Sequence, residues 1–123
     1  MAGFVALAEQ FIAHYYTTFD ADRKNLASLY RDNSMLTFEG AQSLGAAAIT
    51  EKLASLPFQK VVHRPSAQDA QPSPTGGIII LVTGQLLVDE EGNPLSYSQA
   101  FQLEKDGNGA WFVFNDIFRL VYG

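Results

Sequence analysis

The chain has 123 residues, a mass of 13.5 kDa and a formal net charge of −5. A compact monomer of that mass exposes roughly 6,500 Å² of the about 19,600 Å² open to an extended chain. One domain with one core, residues 1–123, is therefore expected. With 47% hydrophobic and 17% charged residues the composition excludes a disordered chain, and eight scattered Lys and Arg exclude a basic patch for nucleic acid or anionic membrane.

No Cys is present, which removes disulfides, a thiol nucleophile and thiolate-bound zinc. The longest apolar run, Ile78 to Val82, is far short of a membrane span. Met1 to Gln10 lacks a basic segment followed by a continuous apolar one, so an intracellular soluble protein is expected. The electrostatically natural partner of an acidic surface is a basic protein. Nine Phe, five Tyr and one Trp are a heavy aromatic load, which points to an interface or a pocket.

The first predicted element is a helix. Phe4, Leu7, Ala8, Phe11, Ile12, Tyr15 and Phe19 recur at helical spacing, with Glu9, Gln10, His14 and Thr17 opposite. Asp20-Ala-Asp22 ends the pattern, and Asp22 is placed to cap a short helix from Arg23 to Tyr30. A short strand, Met35 to Glu39, ends at Gly40, and a third helix spans Ala46 to Ala54 before Pro57. From Phe58 to Asp69 the period becomes two, and Pro65 demands a bulge or an edge position.

The strongest strand is Ile78 to Asp89. Ile78, Ile80, Val82, Leu86 and Val88 form one face, and Ile79, Leu81, Thr83 and Leu87 the other. Both faces are apolar, so both need covering. Ser96 to Lys105 and Ala110 to Tyr122 are further strands, joined by the hairpin turn Asp106-Gly-Asn-Gly109. Helices followed by hairpin-linked strands give an α+β fold with helices over one face of an antiparallel sheet. The second face of Ile78 to Val88 then calls for a second sheet or a second subunit. A curved sheet with helices in its concavity leaves a cleft for a ligand.

Several runs, in one order over nearly the whole chain, resemble the nuclear transport factor 2 family, most of all its fungal members. They include Phe11-Ile-Ala-His-Tyr-Tyr16, Ser34-Met-Leu-Thr-Phe-Glu39, Ser55-Leu-Pro-Phe-Gln-Lys60 and Phe114-Asn-Asp-Ile-Phe-Arg-Leu120. The resemblance implies a cone-like fold, three helices on a strongly bent antiparallel sheet, and a homodimer formed through that sheet. It implies a carrier, not an enzyme and without a cofactor. Such a carrier binds the GDP form of the small GTPase Ran and the Phe-Gly repeats of nucleoporins. It would shuttle between cytoplasm and nucleus and concentrate at the nuclear pore.

By the same resemblance Glu39, Asp89 and Glu91 match the Ran-facing acids, with Glu90 the alternative to its neighbour. Phe38, Leu56, Val61, Ile117 and Phe118 match a hydrophobic cavity that receives a Phe of Ran. Phe4 matches a nucleoporin contact, with Thr75 and Gly76 of the other subunit as candidates beside it. Each assignment has a plainer reading: solvated surface acids, ordinary core, and a residue that anchors the first helix.

His63 and Asp116 suggest a second function class. The fold is shared with small-molecule isomerases and dehydratases whose pockets place acids and His for proton transfer. Against this, His63 reads equally as a hydrogen-bonded cleft residue, and Asp116 as a strand-ordering acid or a partner of Arg119. An enzyme needs an acid or base inside the pocket with a shifted pKa. The sequence places its acids at strand ends.

Overall fold

A 20-residue helix, α1 (Gly3–Asp22), opens the structure, a computed structural model that describes residues 3–57, 60–89 and 93–121. It buries Ala8, Ile12, Tyr15 and Phe19 of the expected stripe, and Tyr16 besides. The helix runs through Asp20, where the sequence placed its end. Asp20 does not compete for its own backbone. Its carboxylate accepts from the backbone N–H of His63 at 2.9 Å and meets the His63 ring at 2.7 Å. Asp22 caps the next segment by accepting from the Lys24 N–H at 3.1 Å. That segment, Arg23–Leu29, is a 3₁₀ helix.

There follow β1 (Tyr30–Phe38), β2 (Ala41–Leu44), α2 (Ala46–Ala54), β3 (Val61–Pro72), β4 (Ile78–Val88), β5 (Leu95–Lys105) and β6 (Trp111–Leu120). The six strands form one sheet in the order β2-β1-β6-β5-β4-β3. All pairs are antiparallel except β1 with β6, which is parallel. Parallel neighbours need a long crossover, and here the whole chain between β1 and β6 supplies it. The third helix sits between β2 and β3 with the bounds the sequence gives it.

β2 was not expected. Its four residues carry no inward alternation, and Leu44 is exposed. What creates the hairpin is the turn: Phe38 pairs with Ala41, leaving Glu39 and Gly40 as a two-residue loop. Both have positive φ, 51° and 87°. A two-residue loop with both centres left-handed matches the twist of the flanking strands.

β4 alternates along its length as the sequence requires. Ile78, Ile80, Val82 and Leu86 are buried in the core, while Ile79 and Leu81 are about half exposed at 47% and 49%. β3 is an edge strand, and its register with β4 breaks between Pro65 and Ala67. The Pro thus occupies both positions that tolerate it, edge and bulge. The bulge presses β3 onto Gly84, which pairs with Pro65.

A Cβ at position 84 would lie 2.5 Å from the Arg64 carbonyl oxygen and 2.8 Å from Pro65 Cα. Gly84→Ala is therefore expected to destabilise by about 1–3 kcal/mol, the range for overpacking. Gly107→Ala, where a Cβ meets nothing within 4 Å, should stay within about 0.5 kcal/mol. Urea denaturation of the two variants beside the parent checks this. Equal stabilities would remove the close approach at the bulge.

Candidate functional site

The concave face of the sheet and the helices enclose a cavity of about 360 Å³. Its helical wall is Tyr15 and Phe19 of α1, with Leu53 of α2 and Leu56 and Pro57 beyond it. Arg23 fixes that last stretch: its guanidinium donates to the Leu53 carbonyl at 2.7 Å and the Leu56 carbonyl at 3.2 Å. The sheet wall includes Phe38 of β1, Val61 and His63 of β3, and Asp116 and Phe118 of β6. Phe38 stacks on Phe118 with ring centroids 4.7 Å apart and planes 7° from parallel, and Phe118 stacks in turn on Tyr97.

Four of the five residues assigned to the hydrophobic cavity, Phe38, Leu56, Val61 and Phe118, meet there. Ile117 does not. Strand neighbours face opposite sides of a sheet, so with Phe118 inward Ile117 points outward and is 54% exposed. It lies on the convex side with Met35, Thr37 and Ile79.

Glu39 and Asp89 flank the cavity in matching ways. Each directly follows a wall residue, Phe38 or Val88, at the end of β1 or β4. Each has a left-handed backbone, φ 51° and 53°, unusual for a residue other than glycine. Each is pinned by hydrogen bonds. Glu39 donates its N–H to the Phe118 carbonyl at 3.1 Å, and its carboxylate accepts from the Leu120 N–H. Asp89 donates its N–H to the Lys60 carbonyl at 2.7 Å, and its carboxylate accepts from the Lys60 N–H at 2.9 Å. Glu39 is thus half-buried and structurally engaged rather than a freely solvated acid. Glu90 and Glu91 lie outside the described residues.

An acid does lie inside the pocket. Asp116 is 1% exposed. Its Oδ2 accepts from Tyr30 at 2.8 Å and Tyr15 at 3.1 Å, and its Oδ1 accepts from Gln99 Nε2 at 2.8 Å. The Tyr15 and Tyr30 hydroxyls meet at 2.7 Å, and Tyr16 donates to Gln99 Oε1 at 2.8 Å. Arg119 is not a partner, because it follows Ile117 on the outward parity of β6. Burial pushes the Asp116 carboxyl up to about 6, although the bonds from Gln99, Tyr30 and Tyr15 pull the other way. Burial and the neighbouring carboxylate push the Tyr15 and Tyr30 hydroxyls well above the ordinary phenol range. His63 stacks on Tyr16 at 4.4 Å and keeps its Nδ1 on Asp20.

Sequence reasoning missed Tyr30, Gln99 and Arg23 as site-forming residues. Gln99 was legible: it shares its parity with Tyr97, Phe101 and Leu103, all buried.

A second hollow of about 310 Å³ lies at the far end of α1. Phe4 and Gly76 both line it, within one chain, together with Leu7, Lys105 and Trp111. Phe4 is half-buried. Thr75 stands beside the hollow with its hydroxyl held by the Glu104 carboxylate at 2.8 and 2.9 Å.

A helix-roofed cavity in a bent sheet, with acids on the strand ends that frame it, defines a pocketed cone-like α+β domain. The family model for the nuclear transport factor 2 domain matches residues 7–120. A protein of Neurospora crassa named nuclear transport factor 2 is 75% identical over 96% of this chain and 95% of its own length. The protein of that name from Schizosaccharomyces pombe is 58% identical over the full length of both chains. The solved structure of nuclear transport factor 2 from Cryptosporidium parvum superposes with a TM-score of 0.91 at 46% identity, covering 96% of this chain and 94% of that one. The chain belongs to the nuclear transport factor 2 family, whose highly similar fungal members are named as transport factors rather than enzymes.

The Asp116 carboxyl sets a pH dependence. Its folded pKa, about 6, lies above its ordinary value of 3.8. The folded state therefore binds the proton more tightly than the unfolded state, and stability from this group falls as pH rises between those values. From pH ~4 to ~7 the parent should lose about 2–3 kcal/mol relative to Asp116→Asn, at 1.36 kcal/mol per tenfold in proton affinity. Urea denaturation of both across that range measures the difference. Parallel pH profiles would show that Asp116 titrates as an ordinary carboxyl.

Proposed function

We propose that this chain is a carrier that binds the GDP form of Ran and the Phe-Gly repeats of nucleoporins, and so returns Ran to the nucleus. On this reading it works as a homodimer, passes between cytoplasm and nucleus, and concentrates at the nuclear pore. One observation carries it: Glu39 and Asp89 are held in left-handed backbone immediately beside the wall of an apolar cavity. Backbone strain of this kind persists where the surroundings over-determine it, and it clusters at ligand clamps. A partner with an apolar side chain between two basic ones fits that arrangement. The ring enters the cavity, Lys and Arg meet the acids, and the charged pairs set the register. Glu91, with Glu90 the alternative, belongs to the same set.

The Phe-Gly repeats are assigned to a groove at Phe4 with Thr75 and Gly76 of the other subunit beside it; within one chain Phe4 and Gly76 line a common hollow. Phe4 is the first large apolar residue of α1, whose later turns are anchored by Ile12, Tyr15 and Phe19. Its ring is thus available to another ring, and an aromatic pair contributes about 0.5–1.5 kcal/mol beyond buried area. An isomerase or dehydratase would use Asp116 and His63 as proton carriers; the names of the fungal relatives favour the carrier.

A crossed experiment separates the two surfaces. Glu39→Gln keeps an acceptor for the Leu120 N–H while removing the charge, so melting should be unchanged and Ran-GDP binding should weaken at least tenfold, about 1.4 kcal/mol. Phe4→Ala should do the converse, lowering affinity for a Phe-Gly repeat peptide and sparing Ran-GDP. Calorimetry of each variant with each partner gives the four values. Equal losses for both partners in either variant would refute the division.

The homodimer rests on the convex face. Met35, Ile79, Leu81 and Ile117 are exposed there. The registers make them one patch: Thr37 pairs with Ile117, Ile117 with Ala100, and Ala100 with Leu81. A continuous apolar surface on a soluble chain marks an interaction site. Leu81→Glu should convert a dimer to a monomer in light scattering at micromolar concentration. A monomeric parent would overturn the dimer.

A further inference from the structure

The exposed apolar side chains of the convex face are bordered by an acid and a base that pair with no other described residue. Asp69 of β3 and Arg119 of β6 are both exposed, and the ion pairs Arg31–Asp106 and His63–Asp20 involve neither. Asp69 pairs with Leu81 in the sheet, and Arg119 stands two residues after Ile117, so both share the convex face.

A homodimer joins one face to its own copy, so each contact between two different residues occurs twice about the two-fold axis. Apolar side chains meet apolar ones only where that axis passes near the middle of their patch. Ala100 is that middle, paired with Leu81 on one side and Ile117 on the other. Packed sheets commonly keep their strand directions within about 30° of each other. With the axis near Ala100 and roughly along the strands, β4 lies against the partner's β6 and β3 against the partner's β1, because the order around β5 is β1-β6-β5-β4-β3. Leu81 then faces the partner's Ile117, and Asp69, one strand further out, faces the partner's β1. Arg119 reaches toward β1 as well: its Nη1 lies 3.8 Å from where a Cβ on Gly40 would sit, in the turn that ends that strand.

The other charges nearby fit less well. Arg64 is on the same strand as Asp69, so opposing the two would turn the axis across the strands and lay Leu81 over the partner's Gln85. The Glu104 carboxylate is already held by Thr75 and Gln102.

We propose that Asp69 of each subunit pairs with Arg119 of the other, so that two symmetric ion pairs fix how the apolar faces meet. The pairing rests on the homodimer proposed above and adds its register. Apolar contact is non-directional and leaves Met35, Ile79, Leu81 and Ile117 free to slide over their copies. Two charge pairs at the margin admit one alignment and oppose the others.

The test is sedimentation equilibrium of charge-exchanged variants at physiological ionic strength, where charges more than about 8 Å apart are largely screened. Asp69→Arg sets arginine against arginine in both pairs, and Arg119→Asp sets aspartate against aspartate. Each variant alone should have a dimer dissociation constant at least tenfold above that of the parent. An equimolar mixture of the two should return to the parent's value, because both pairs of the mixed dimer again join Arg to Asp. The doubly exchanged chain, Asp69→Arg with Arg119→Asp, should do the same in one molecule. The pairing is overturned if either single variant dimerises like the parent. It is also overturned if neither the mixture nor the doubly exchanged chain is tighter than the single variants. A monomeric parent overturns the homodimer itself, and the pairing with it.

Discussion

A buried carboxylate held by neutral donors joins the parts of this fold. Asp116 of β6 receives hydrogen bonds from Tyr15 of α1, Tyr30 of β1 and Gln99 of β5. Its partners come from the helix that roofs the cavity and from both strands that flank β6. Such a group is costly to bury, and the penalty is met only when every donor is in place. The network therefore discriminates between packings. A slip of β6 by one residue would turn Asp116 to the convex face and leave two tyrosine hydroxyls and an amide without their acceptor. It also contributes to the chemistry of the cavity, because the same carboxylate that locks the helix onto the sheet joins His63 and Gln99 as polar residues in a largely apolar wall.

The period-two rule then divides β6 between two roles. Asp116 and Phe118 face the cavity, while Ile117 faces away and adjoins Ala100 and Thr37. The assignment of Ile117 and Phe118 to a single pocket wall fails for this reason alone. The same rule gives β4 its two apolar faces. Ile80 and Val82 are fully buried in the core, whereas Ile79 and Leu81 remain about half exposed. One sheet thus has a pocket on one side and exposed apolar side chains, Ile79, Leu81 and Ile117, on the other.

Periodic and apolar features were legible in the sequence. The stripe of α1, the bounds of α2, the alternation of β4 and the bulge at Pro65 all follow from spacing and backbone chemistry. Features that depend on a single residue acting across the sheet were not. Tyr15 reads as one more apolar position of a helical stripe, and nothing local announces that its hydroxyl reaches β6. Arg23 reads as a helix-starting base, yet it donates to carbonyls about thirty positions on. β2 was illegible because its turn, Glu39-Gly40, lacks the Asn or Asp that usually signals a two-residue loop. The end of α1 was misread because Asp20 serves a distant histidine rather than its own turn.

That unusual turn links the fold to the proposed function. An Asn at position 39 would enter the left-handed region more easily than Glu. The site instead carries a longer acid whose carboxylate accepts from the Leu120 N–H and whose backbone N–H donates to Phe118. The hairpin fixes the φ of Glu39, and β6 fixes its carboxylate, so the charge is held in place before any partner arrives. Asp89 is fixed the same way from the β3 side, through Lys60. Two anions held at the ends of different strands need little further ordering on binding, so less of the interaction energy is lost to side-chain entropy. A cavity shaped by packing and charges pinned by backbone hydrogen bonds are both ready in the free protein, as the carrier role proposed above would require.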